Sequence, residues 1–234
     1  MSAKEIIVKP IPSSIANKVV TKYHYSGKHA RNSVLDFGVY YKGILMGAMQ
    51  FGTPMNKHVM MPLFDGAIWH DVIELNRMSF SDALPRFSES RALAMAFRWM
   101  KKNSHIKYII SFADGCQCGH GTIYQASNFK LTQIKKNNSI IKLPNGEVVA
   151  KIVFGVKGGK YANEKLKSGI TSLSKFLDMK HNGWSKVNGY MYRYVYFLNK
   201  DDEKNFTGEF IPFSKIKELD IEMYKGEWIN GANK

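Results

Sequence analysis

The sequence predicts an α/β fold of the α+β kind: a mixed central sheet flanked by helices, followed by a C-terminal extension. Three observations carry that expectation. Two apolar runs, 34–41 and 44–51, flank Lys42-Gly43, as the strands of a tight hairpin do. An amphipathic stretch over 88–102 places Leu93, Ala96, Phe97 and Met100 at helical spacing. The run 108–112 is continuously apolar, as in a buried central strand.

The remaining elements follow in order. Ile6 to Ile11 reads as a short strand stopped by Pro12, and Ser13-Ser14 opens a helix over 15–22. That helix runs into Tyr23-His24-Tyr25 and a basic, glycine-containing loop, Ser26 to Arg31. A strand covers 72–80, a loop 81–87, and Ser88 is the expected N-cap of the amphipathic helix. A loop over 113–120, a short helix over 121–128 and a strand over 131–135 come next. Pro144-Asn145-Gly146 marks a second hairpin, and 190–198 a strongly aromatic late strand. No linker separates two cores, so one domain is expected over 1–200, with an extension over 201–234.

With 234 residues, 44% of them hydrophobic, the chain is long enough to bury a full core. Lys and Arg total 34 against 19 Asp and Glu, a formal charge of +15, which favours a polyanionic partner. The basic residues are interleaved with Tyr, Trp and Phe, as nucleotide-contacting surfaces require. The start, MSAKEIIVKPIPSS, lacks the apolar run of a signal peptide, and no stretch approaches the roughly 20 apolar residues of a membrane span. A cytoplasmic protein without membrane contact is the expectation. The two cysteines, Cys116 and Cys118, are too close to staple anything distant. With His120 they suggest a metal, but structural zinc takes four ligands and wider cysteine spacing, so no metal is expected.

Four segments carry a family resemblance: ELNRMSF (74–80), PRFSESRALAMAFRWM (85–100), IISFADG (109–115) and GHGTIYQASNF (119–129). Together they resemble the Mom family, phage enzymes that convert adenine in DNA to a carbamoylmethyl derivative and so shield it from restriction. The order of the elements resembles the central half of GNAT-type acyltransferases. The resemblance covers about Tyr23 to Lys135 and the run Tyr190 to Phe197. It implies that the domain over 1–200 is a GNAT-like catalytic domain in the host cytoplasm, acting on a base flipped out of double-stranded DNA. Leu84 to Ser90, where GNAT relatives hold a coenzyme A pyrophosphate, contains no glycine and carries Glu89. Both features argue against tight coenzyme A binding, so a glycyl-tRNA is the expected donor, which would make tRNA a second partner; an acyl-coenzyme A is the alternative.

Candidate site residues follow from this. Asp114, at the end of a central strand, suits a proton acceptor or a grip on the adenine edge; capping a turn beside Gly115 is the alternative. His24 between Tyr23 and Tyr25 suits proton transfer with stacking rings; an aromatic wedge in the core is the alternative. Tyr124 and Ser127 lie three apart on the short helix, and the resemblance implies an acid role for Tyr124. Arg77 and Ser79 share one side of their strand, opposite Met78, and with Arg86 and Ser90 are candidates for donor binding. Lys22, Lys28, His29 and Arg31 suit DNA phosphates, and Lys135, Lys136, Lys157, Lys160, Lys165 and Lys167 form a second basic region. Two rival readings are an N-acetyltransferase of a protein or small amine, and a DNA-binding module, which leaves His24, Asp114 and Tyr124 without a task.

Overall fold

The computed structural model describes residues 2–24, 26–154, 175, 183–219, 222–224 and 227–230. Tyr25, Lys157, Lys160, Lys165 and Lys167 lie outside the described residues. The chain starts with β1 (Ile6–Pro10) and α1 (Ser13–Tyr23), then β2 (Ser33–Tyr41), β3 (Ile44–Gly52) and the single turn α2 (Lys57–Met60). Next come β4 (Val72–Phe80), α3 (Ser88–Asn103), β5 (Tyr108–Asp114), α4 (Thr122–Ala126) and β6 (Lys130–Asn137). Further on lie β7 (Ile140–Lys142), β8 (Val148–Ala150), β9 (Ser185–Lys186), β10 (Gly189–Phe197), α5 (Ser214–Glu218), β11 (Glu222–Tyr224) and β12 (Glu227–Asn230).

Seven strands form a mixed sheet in the order β1-β2-β3-β4-β5-β10-β6. The first four make an antiparallel meander. The β2–β3 turn is tight because Lys42 and Gly43 both take positive φ, 49° and 79°, the two left-handed positions of a type I′ turn. β5 then pairs parallel to β4, which the intervening helix α3 makes possible. That parallel ladder runs from Val72↔Tyr108 to Leu75↔Ser111. At its last pair the Ser111 hydroxyl donates to the Leu75 carbonyl at 3.4 Å. β4 continues five residues beyond, to Phe80.

The chain divides into two compact units: Met1–Phe112, Thr122–Gln133 and Arg193–Phe213 in the first, Ala113–Gly121, Ile134–Tyr192 and Ser214–Lys234 in the second. The first is held by a core of Met60, Phe64, Val72, Tyr108, Ile110, Val195 and Phe197. Phe64 stacks on Tyr108 with ring centroids 4.1 Å apart. The second contains the small sheet β8-β7-β9, packed around Cys116, Ile140 and Val187. Among the described residues no helix is long and apolar enough to cross a membrane.

Residues 201–213 fall in the first unit: Phe206 stacks on Phe210 at 5.0 Å, and Asn205 donates to the Tyr108 hydroxyl at 3.3 Å. The segment reads as a tail because its aromatics lack periodicity, yet they close the core. Ser88 is the first helical residue of α3 and not its N-cap. Its buried hydroxyl donates to the Pro85 carbonyl at 2.7 Å, so the cap position falls to Phe87, left-handed at φ 68° and 71% exposed. α4 is also shorter than expected, ending at Ala126 before Asn128 turns left-handed at φ 62°. Ser127 thus follows the helix that carries Tyr124.

Candidate active site

The register of β2, β3 and β4 puts polar side chains in rows on one face. Asp36 pairs with Gln50 and Gln50 with Arg77; Gly38 pairs with Ala48 and Ala48 with Ser79. Ala48 packs in the cluster of Ala16, Val19 and Val20, so this face lies under α1. Between the pairs Gln50↔Arg77 and Phe51↔Leu75, β4 carries one extra residue, Asn76. This bulge changes the alternation, so Glu74, opposite Gly52, faces the same side as Arg77 and Ser79. Asp36, Gln50, Glu74 and Ser79 are all buried. Among the described residues the Ser79 hydroxyl and one oxygen of Asp36 have no hydrogen-bond partner. Burial pushes the Glu74 carboxyl up, while the Met55 amide, Asn76 and Arg77 pull it down.

α1 delivers Tyr23 and His24. Tyr23 is its last residue, half-buried against the helix cluster, with the Lys22 ammonium 4.8 Å from its ring centre. His24 caps the helix, where an extended backbone ends the helical ladder. Its Nδ1 accepts the Ser26 backbone N–H at 3.1 Å and lies 2.8 Å from the Ser26 hydroxyl. A backbone N–H can only donate, so Nδ1 holds a lone pair and the neutral ring carries its proton on Nε2. Burial first, and the Arg77 guanidinium second, pull the imidazole down to about 4. At neutral pH His24 is therefore an uncharged hydrogen-bond donor. Arg77 donates from Nε to the Lys28 carbonyl at 3.1 Å and from Nη1 to the Asn76 carbonyl at 2.6 Å. Lys22, Lys28, His29 and Arg31 are exposed, available to solvent or a partner.

A cleft of about 890 Å³ opens at the start of α3, lined by Lys4, Arg86, Phe87, Ser90, Arg91 and Arg98 over Ala94 and Ala126. Four cations thus surround an apolar floor, and Glu89, expected to repel an anion, is not among the lining residues. Among the described residues the buried Arg91 Nε has no partner, although its Nη2 donates to the Lys4 carbonyl at 3.3 Å. Arg86 and Ser90 share this cleft, whereas Arg77 and Ser79 lie on the sheet face under α1. Tyr124 packs against Phe129 and Tyr194, each ring centre 5.2 Å away. The buried Ser127 hydroxyl has no partner among the described residues.

In the second unit Asp114 ends β5. Its Oδ1 accepts the Cys116 N–H and the Asn137 amide, both at 3.0 Å, and its carbonyl accepts the N–H groups of Gln117 and Cys118. Gly115 is obligatory here, since a Cβ would lie 2.7 Å from the Tyr190 carbonyl oxygen. Burial raises the Asp114 carboxyl against these hydrogen bonds, and raises the Cys116 thiol to about 12. No group of three or more metal-ligating side chains gathers among the described residues.

The Mom protein family matches this chain over residues 5–215. The chain belongs to the Mom family. A relative named Methylcarbamoylase mom, from Escherichia phage Mu, is 32% identical over 208 residues, which span 88% of this chain and 80% of that protein. Among solved structures the Mom-family chain is similar to the IAA acetyltransferase from Bacillus cereus ATCC 14579, with 10% identity, a TM-score of 0.45, and 82% and 99% of the two chains covered. It is also similar to a GNAT family acetyltransferase from Elizabethkingia anophelis with acetyl-CoA bound, with 16% identity, a TM-score of 0.37, and coverage of 57% and 81%.

Sequence reasoning passed over Asp36, Gln50 and Glu74, which this Mom-family chain buries in the rows around Arg77. A signal was present for two of them: Gln50 is the lone polar residue in ILMGAMQFG, and Asp36 the lone charged one in VLDFGVYY. Lys4 and Arg98 of the cleft carry no such mark, because they are ordinary surface cations until the fold gathers them.

Proposed function

We propose that this chain is a DNA-modifying transferase, acting in the host cytoplasm, that converts adenine in double-stranded DNA to its N6-carbamoylmethyl derivative. The family match over residues 5–215 is the observation that carries the reading. The acyl donor is of the acyl-coenzyme A class. The four cations and apolar floor at the start of α3 suit a small molecule with phosphates and an aliphatic arm. The glycyl-tRNA alternative has no support in this cleft beyond its positive charge.

The N6 amine is a weak nucleophile because its lone pair is delocalised into the purine. Its attack on a thioester carbonyl needs a hydrogen-bond donor for the developing oxyanion and an acceptor for the amine proton. His24, with a neutral ring protonated on Nε2, suits the first task. Tyr124 suits protonation of the departing thiolate, and Tyr23 and Tyr25 suit stacking on the flipped base. A glycyl-type acyl group would complete the product on its own: the free amine attacks C6, and N6 leaves C6 as the nitrogen of the new amide.

The test is nucleoside mass spectrometry of plasmid DNA from bacteria expressing the chain. Carbamoylmethyl-adenine that is absent from the His24→Ala sample supports the reading. Only the four normal nucleosides, from well-expressed folded protein, would overturn it.

A further inference from the structure

We infer that Gln50 is a positioning residue: it fastens the basic loop 24–31, and through that loop sets the His24 imidazole and the cations Lys28 and Arg31. The inference rests on the proposed function, in which that loop meets DNA and donor.

Gln50 sits in the middle of β3 with 0% exposure. Its Oε1 accepts the Ala30 N–H at 2.9 Å, and its Nε2 donates to the Asn17 Oδ1 at 2.9 Å. Both ends of the amide are thereby assigned, since the Ala30 N–H can only donate. A buried amide costs free energy unless its bonds are made, and here they reach two other elements, α1 and the loop. Directly opposite on β4, Arg77 grips the Lys28 carbonyl at 3.1 Å. Two paired side chains on adjacent strands thus hold the loop backbone at residues 28 and 30.

The contacts continue toward the imidazole. The Lys28 N–H donates to the Ser26 hydroxyl at 3.3 Å, and Ser26 meets His24 Nδ1 through both its N–H and its hydroxyl. The His24 tautomer is therefore set by a loop whose own fastening is Gln50 and Arg77. An apolar side chain at position 50 would pack equally well under α1, beside Ala48, but would leave the Ala30 N–H without a partner in a buried place.

The experiment compares Gln50→Met, which keeps length and loses both bonds, with Gln50→Glu, which keeps the acceptor for Ala30 and lets the Asn17 amide turn to donate. Asn17→Ala serves as a milder third variant. Three readouts are taken: hydrogen exchange of the amides in 26–31, duplex DNA affinity as a function of salt, and adenine modification of plasmid. For Gln50→Met we expect exchange about tenfold faster at Ala30 and its neighbours. The log–log salt slope should fall by about two, as Lys28 and Arg31 lose fixed places on phosphates. Modification should fall by a larger factor than DNA affinity, because the imidazole moves too. Gln50→Glu should recover most of each, and Asn17→Ala should move all three in the direction of Gln50→Met by less. Folded Gln50→Met with wild-type exchange in 26–31, or Gln50→Glu as impaired as Gln50→Met, overturns the inference. If Gln50→Met does not fold, Asn17→Ala decides: unchanged exchange at Ala30 overturns the inference and faster exchange supports it. A wild-type protein that binds no DNA would sink the proposed function, while the exchange readout would still decide the fastening.

Discussion

The two faces of β2, β3 and β4 share one backbone ladder and carry opposite chemistry. Toward α3 lie Phe37, Met49, Phe51 and Leu75, with the Phe37 ring edge-on to Phe51 at 5.9 Å and to Trp99 at 5.4 Å. Toward α1 lie Asp36, Gln50, Glu74, Arg77 and Ser79, mostly buried, with two of their oxygens unpartnered among the described residues. The first face stabilises the fold by removing apolar area from water. The second opposes folding wherever a polar atom is buried without a partner. A protein selected for stability alone would not keep it. The division of labour is that one face of the sheet supplies stability and the other positions polar groups, His24 among them, whose protonation the burial controls.

Substitutions can break or sharpen that division. The largest effect is expected on the apolar face: Phe51→Ala, at a fully buried ring, should lower unfolding free energy by about 3–5 kcal/mol in urea titrations. The molecules that stay folded should still bind DNA with wild-type salt dependence; loss of binding per folded molecule would mean the faces are not separable. On the polar face Arg77→Lys keeps the charge and loses the fork that reaches Lys28 and Asn76 together. We expect adenine modification to drop about 10²-fold with only a small stability change, because a catalytic group displaced by about an ångström has effects of that size. Nucleoside analysis showing wild-type levels would remove Arg77 from the site.

A smaller effect concerns pH. The His24 imidazole is lowered from 6.5 to about 4, so the folded state resists its protonation. Its contribution to stability is complete above about pH 6.5, the ordinary imidazole value, and is lost as pH falls toward 4. The raised Glu74 and Asp114 carboxyls act with the opposite sign, their contribution fading as pH rises. The clean measurement is therefore the stability difference between wild type and His24→Gln, which should shrink between pH 6.5 and 4. A difference independent of pH would show that the ring is not held neutral. The smallest effect is Ser79→Ala. Removing a buried hydroxyl without a partner should leave stability unchanged or raise it by up to about 1 kcal/mol. A loss of more than about 1 kcal/mol in urea titrations would show that the hydroxyl makes a bond in solution.

Much of the fold could be read directly. The strand over 72–80 and the start of α3 fall where the apolar spacing puts them, and Lys42-Gly43 turns the hairpin as its chemistry demands. The shared side of Arg77 and Ser79 follows from strict alternation and agrees with the register. That Glu74 joins them does not follow, because the extra residue at Asn76 shows only in the pairing with β3. Ser88 has the chemistry of an N-cap, but the bend at Pro85 brings a carbonyl within reach of its hydroxyl first. The exposed Phe87 then occupies a cap position that no propensity scale would assign to it.

The sequence by itself determined the element order, the apolar faces, the basic character and the resemblance to the Mom family, since these reside in residue types and short-range spacing. The tertiary structure alone decided which polar groups meet. Gln50 reaches Ala30 across 20 residues and Arg77 reaches Lys28 across 49. Lys4 and Arg91 line one cleft from 87 residues apart. Local periodicity reports which side a side chain takes, but the register of the strands and the packing of helices on them decide what it faces.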